Sequence, residues 1–200
     1  MELNNWTTNN LIETINKITA ESTLFFDMDG TLINTNYSNF LSYKSAILSV
    51  TETEFNLTYN PNIRFNRSTL EQTCNLSEED YYKIIKEKEE CYINFLHETL
   101  LNQEVVDILY KYMKTNKTVL VSNCREERAI MTLNYHGLHD KFSNLFFRQL
   151  EQNNKKINKY EYAIKVLNIS PNSVLIFENE ISEIEDAIQA GINPYNVIKL

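Results

Sequence analysis

Two aspartates one residue apart, Asp27 and Asp29, follow an apolar run, Leu24-Phe25-Phe26, and precede Gly30, one of only three glycines. Two carboxylates so close repel each other, so the pair implies a divalent cation or a shared proton. A carboxylate can attack phosphorus as a covalent nucleophile. Its neighbour can give or take the proton. The plainer alternative is a strand end running into an Asp-Gly turn. The apolar run before the pair and Thr31-Leu32-Ile33 after it weigh against that alternative.

The elements that must position the pair can be read around it. A short apolar run bounded by turn residues reads as a buried parallel strand. Asp27 then lies at the strand's carboxyl end, where open α/β sheets bind ligands. Gly30 permits a sharp turn there.

Asp27-Met28-Asp29-Gly30-Thr31-Leu32 after an apolar strand resembles the first motif of the haloacid dehalogenase-like (HAD) superfamily, within it the β-phosphoglucomutase/phosphoglycolate phosphatase-like subfamily. The resemblance implies that Asp27 is phosphorylated and that Asp29 is the general acid/base. Dehalogenase members lack the second aspartate, so its presence favours phosphoryl chemistry. The family's remaining motifs map onto later residues, and the resemblance covers residues 22–200. Thr118-Val119-Leu120-Val121-Ser122-Asn123 is an apolar strand ending in a hydroxyl and an amide. By resemblance, Ser122 binds the transferring phosphoryl group, with Asn123 assisting. Phosphoryl transfer needs a cation near the carboxylates. Lys155, Lys156 and Lys159 are the candidates, with Lys159 preferred and Lys156 next, against the alternative of surface lysines. Ser173-Val174-Leu175-Ile176-Phe177 is a further strand, followed by Glu178-Asn179-Glu180 and a helix to Ala190-Gly191. This resembles the fourth motif, an acidic pair that binds Mg²⁺. The implied metal ligands are Asp27, Asp29 through its backbone carbonyl, Glu178 and Asn179, with Glu180 or Glu183 assisting through water. Asn179 stands where many relatives carry a second acid, and an amide oxygen brings no charge.

The rest of the chain predicts helices: Asn9–Ala20, then about 36–50, 68–74 and 78–100, then 101–115, and one from Arg125 to near Gly137. Short strands are predicted at Leu145–Phe147 and Asn196–Leu200. The expected fold is α/β, a HAD-like Rossmannoid parallel sheet of about five strands with an inserted helical C1 cap. Residues 1–33 and 99–200 are expected to form the core and 34–98 the cap. The family's caps close over the site and read the substrate. Arg64, Arg67 and Lys88 are the cap's candidate substrate contacts, with a solvated helix face as the plainer alternative for each. The mutases of this family carry a His where Asn39 stands, and relatives often carry Asp where Asn34 stands. A hydrolase is therefore preferred over a mutase.

Composition narrows the classes. A net charge of −8 disfavours a nucleic-acid backbone as partner. No apolar run approaches a membrane span, and no signal peptide is visible. Three cysteines without zinc-like spacing suggest a reduced, cytoplasmic protein. A cysteine-based phosphatase would need Arg six residues after its nucleophile, and Ile130 stands there relative to Cys124. The combined expectation is a Mg²⁺-dependent phosphatase of a small phosphorylated metabolite, monomeric or weakly dimeric. A sugar-phosphate mutase and a catalytically weak binding protein of the same fold are the alternatives.

Overall fold

Three uninterrupted apolar runs form the middle of a sheet, because a strand covered on both faces needs apolar residues at every position. In the computed structural model, which describes residues 15–150 and 156–200, these are β1 (Thr23–Phe26), β4 (Lys117–Val121) and β6 (Val174–Glu178). With β5 (Asn144–Phe146) and β7 (Val197–Lys199) they make a five-stranded sheet of order β5-β4-β1-β6-β7. Every pairing in it is parallel. The α/β architecture with a five-stranded parallel sheet is thus as expected. Phe26 pairs with Leu120 on one side and Phe177 on the other. Carrying that register one residue further sets Asp27 level with Glu178, with Ser122 one step beyond on the other flank.

Helices α4 (Gln103–Tyr112), α5 (Glu126–Tyr135), α6 (Lys159–Leu167) and α7 (Ile181–Gln189) belong to this unit. One core cluster joins Phe25, Val119, Val121, Tyr160, Ala163, Ile176 and Ala187, so α6 and α7 pack on one face of the sheet. Side chains alternate across a strand, and Phe26 accordingly stacks on Phe177 instead, ring centroids 4.7 Å apart.

A second compact unit spans Ile33–Leu101, the first ending at Leu32 and resuming at Asn102. It contains α1 (Asn36–Thr51), α2 (Arg67–Thr73) and α3 (Glu78–Cys91). A two-residue antiparallel pairing of β2 (Ile33–Asn34) with β3 (Leu100–Leu101) brings its ends together. Its core holds Phe40, Tyr43, Ile47, Phe65, Leu70 and Ile84. Ser77 caps α3, its hydroxyl accepting from the Asp80 N–H at 3.1 Å. The single helix expected over 78–100 is a correction. It ends at Cys91, continues as a 3-10 run over Tyr92–Glu98 and becomes extended at Thr99. Pairing with β2 requires extended backbone at Leu100–Leu101, and that bounds the 3-10 run that follows α3. Of the helix expected over Asn9–Ala20, residues 9–14 lie outside the described residues; beyond Ile15 the chain runs in turns to Ala20, so the helix does not reach that far. No helix among the described residues is long and apolar enough to cross a membrane.

Candidate active site

The site is built where β1, β4 and β6 stop. The Asp27 N–H still donates to the Phe177 carbonyl at 3.1 Å, so its side chain leaves from the last paired position of β1. The chain then turns: the Thr31 and Leu32 N–H groups both donate to the Met28 carbonyl, at 3.3 and 3.1 Å. Gly30 has φ +92°, and a Cβ there would lie 2.6 Å from Asn179 Nδ2. The positive φ calls for glycine, and a Cβ would also push the Asn179 amide aside. Asn179 is held beside it, its Oδ1 accepting from the Thr31 hydroxyl at 3.0 Å.

Lys159 is the first residue of α6. The preceding Asn158 caps that helix, accepting from the N–H groups of Tyr160 and Glu161, and ties it to α7 by donating to the Asp186 carbonyl at 2.7 Å. The start of α6 is fixed in this way, and the ammonium reaches Asp27 Oδ1 at 2.7 Å and Glu178 Oε2 at 2.9 Å. Glu183 Oε2 lies 3.5 Å from the same ammonium. Asp27, Lys159 and Glu178 are 6, 4 and 0% exposed, so these charges meet almost without water.

Burial raises the Asp27 carboxyl to about 7. Lys159 pulls it back down, while Glu178 and Asp29 add to the rise. Burial works against the Lys159 ammonium too. The surrounding charges of Asp27, Glu178 and Glu183 outweigh it and hold the ammonium protonated well above the usual lysine range. The cluster thus carries more negative charge than one ammonium balances.

Glu178 accepts four hydrogen bonds. Oε1 receives the N–H groups of Asn179 and Glu180, at 2.9 and 3.0 Å. Oε2 receives Lys159 and, at 2.6 Å, the Tyr160 hydroxyl. This residue, expected to bind metal, has both oxygens engaged by the chain's own donors. Ser122 is buried at the end of β4, its Oγ accepting from the Cys124 N–H at 3.2 Å. Asn123 turns its Nδ2 toward Glu183 Oε2 at 2.5 Å, and its buried Oδ1 has no protein partner among the described residues. Lys156 pairs with Glu183 at 2.5 Å instead of reaching Asp27. Burial alone would raise the Glu183 carboxyl, but Lys159 and Lys156 bring it below the usual carboxylate range. Lys155 lies outside the described residues.

Two contacts escaped the sequence reading. Arg128, on α5, places Nη2 3.2 Å from Asp29 Oδ2, and both side chains are largely buried. In sequence it ends Arg-Glu-Glu-Arg at a helix start, which reads as a solvated face. Tyr160 reads as a core aromatic, and only its place directly after Lys159 hints at more. In the helical unit Arg67 is exposed at the start of α2. Lys88 is buried there, its ammonium 5.4 and 5.1 Å from the ring centroids of Tyr43 and Tyr92 and 3.4 Å from Glu89. Asn39 is buried as well, donating to Thr35 Oγ1 at 3.3 Å.

No group of three or more His, Cys, Asp or Glu among the described residues is arranged to hold a metal ion. Mg²⁺ does not require such a cage, since it commonly keeps waters and takes one or two carboxylates together with substrate phosphate. The donor set suits it: the Asp27 carboxylate, the Asp29 backbone and the Asn179 amide oxygen are all hard oxygens. Burial is the main cause of the rise at Asp27, with Glu178 and Asp29 adding to it, and a bound cation would oppose it.

Residues 24–197 match the haloacid dehalogenase-like hydrolase family, and the chain belongs to it. Its fold is shared with a protein described as a predicted phosphoglycolate phosphatase from Haemophilus somnus, TM-score 0.72 at 20% identity, over 90% of this chain and 85% of that one. A haloacid dehalogenase-like family hydrolase from Streptococcus pneumoniae aligns with TM-score 0.70 at 15% identity, over 88% and 84%. CbbY from Rhodobacter sphaeroides, solved in complex with phosphate, aligns with TM-score 0.69 at 13% identity, over 86% and 84%. At these identities the likeness is one of fold. No curated protein matches the chain.

Proposed function

We propose that this chain is a Mg²⁺-dependent phosphomonoester hydrolase acting on a small phosphorylated metabolite in the reducing cytoplasm. The observation that supports it most is the buried ammonium of Lys159 between Asp27 and Glu178, at 2.7 and 2.9 Å, beside the strand end that carries Ser122. A buried nucleophile, a fixed cation and a hydroxyl at adjacent strand ends are the groups that phosphoryl transfer requires.

The ammonium takes Asp27 Oδ1, and Oδ2 attacks phosphorus in line. The new bond is Asp27 O–P, and the ester P–O bond breaks. The departing oxygen takes its proton from Asp29, which Arg128 holds in place. Asp29 then accepts a proton from water, whose oxygen attacks phosphorus and frees Asp27 with inorganic phosphate. Ser122 and Lys159 hold the equatorial oxygens, so charge that develops in the transition state meets fixed donors. When bound, Mg²⁺ neutralises and orients the phosphoryl group. Asp27, Asp29 through its backbone carbonyl and Asn179 would hold it, with Glu178 behind them as the anchor of Lys159.

The test is phosphate release over a panel of phosphorylated metabolites, with and without Mg²⁺. Release is expected to depend on added Mg²⁺, to stop with a chelator and to fall by at least about a thousandfold in Asp27→Asn. Equal release by Asp27→Asn would remove the assigned nucleophile. Conversion to an isomer with no free phosphate would make the protein a mutase.

A further inference from the structure

Glu178 is a second carboxylate competing with Asp27 for the same ammonium. Lys159 Nζ donates to both Asp27 Oδ1, at 2.7 Å, and Glu178 Oε2, at 2.9 Å, so the charge on Oε2 weights the balance between its two partners. The other donor on Oε2 is the Tyr160 hydroxyl, at 2.6 Å. Resting on the hydrolase reading, we propose that Tyr160 is a positioning residue for the nucleophile. Its hydroxyl shares Glu178 Oε2 and thereby leaves the Lys159 ammonium directed at Asp27.

Each donor that a carboxylate oxygen accepts draws on its charge and weakens its hold on the next donor. Oε1 is already engaged by two backbone N–H groups, so Glu178 cannot compensate by rotating. The tyrosine cannot move away either. It is wholly buried, and its ring lies 13° from parallel to Phe25 with centroids 6.5 Å apart. The ring also covers the ammonium, whose nitrogen is 4.9 Å from its centroid. Phenylalanine would pack the same ring in the same core, so packing does not explain the hydroxyl. Among the described residues the hydroxyl donates to the carboxylate that shares Lys159. Without that bond the full charge of Oε2 falls on the ammonium and draws it from Asp27.

The test uses the full chain labelled with ¹⁵N-lysine. A buried ammonium with three carboxylate neighbours exchanges slowly enough to give a resolved Nζ resonance, assigned by its loss in Lys159→Met. Tyr160→Phe is expected to shift or broaden that resonance. With para-nitrophenyl phosphate it is expected to lower kcat about tenfold while KM stays within about twofold. Adding Tyr160→Phe to Glu178→Gln, where the competing charge is gone, is expected to change kcat by no more than about twofold. An unmoved resonance in folded Tyr160→Phe, or a loss of the same size in the Glu178→Gln background, would overturn the proposal. If the wild type releases no phosphate, the hydrolase reading fails, and the resonance alone decides the positioning claim. If Tyr160→Phe does not fold, the claim that the hydroxyl is dispensable for packing is wrong and the proposal falls with it.

Discussion

A lysine at the first position of a helix stands at the positive end of the helix dipole, the unfavourable end for a cation. Lys159 occupies that position in α6 because its ammonium answers to Asp27 and Glu178 instead. Asp27 is the counterpart, a carboxylate raised by burial to about 7. The sign of its effect on stability follows. Between its ordinary value of 3.8 and about 7 the folded chain holds a proton that the unfolded chain has lost. Stability of the metal-free protein therefore falls as pH rises through that window. Chemical denaturation in chelator is expected to show this fall in the wild type, reduced in Asp27→Asn; parallel curves for the two would contradict it. Asp27 and Asp29 were legible in the sequence because both carboxylates sit side by side at a strand end. Lys159 was legible only as one of three neighbouring lysines, since reach across a fold leaves no mark on spacing. Arg128 and Tyr160 were not legible as site residues. Their partners, Asp29 and Glu178, lie in distant stretches of the chain.

At the scale of elements, the turn after β1 joins two motifs through a glycine. Gly30 makes room for the Asn179 amide, which the Thr31 hydroxyl holds at 3.0 Å. Gly30→Ala adds a Cβ at φ +92° and pushes that amide aside. The expected loss of stability is about 1–3 kcal/mol, read from denaturant midpoints, with weaker Mg²⁺ binding by calorimetry. An alanine variant as stable as the wild type would show that the turn relaxes freely. The central strands could be read directly because strands buried on both faces are continuous apolar runs. Strands β2 and β3 could not, since two residues carry no periodicity. The change from α-helix to a 3-10 run at Tyr92 was not legible either, and the extended backbone after it depends on pairing with residues far back in the chain.

At the scale of the whole molecule, one hydrophobic core surrounds the parallel sheet and another lies among α1–α3. The ends of the sheet unit meet where the helical unit leaves it, the Asn102 N–H donating to the Leu32 carbonyl at 2.9 Å. Replacing Ile33–Leu101 with a short Gly-Ser linker is therefore expected to leave a sheet unit that melts cooperatively with α/β circular dichroism. Gradual, non-cooperative melting would show that the sheet unit depends on the helical one. In the sequence, residues 34–98 stand out as a stretch of helical periodicity between the strands; in the structure a compact unit spans Ile33–Leu101. The substrate was not legible, because the shape that selects it is assembled from residues scattered along the chain.

The central claim is that Asp27 carries the phosphoryl group. Acid quenching during turnover, followed by borohydride, reduces an aspartyl-phosphate to homoserine, which peptide mass spectrometry locates. The account predicts homoserine at position 27 and nowhere else. Phosphate release with position 27 left as aspartate, or with the label on another residue, would contradict it.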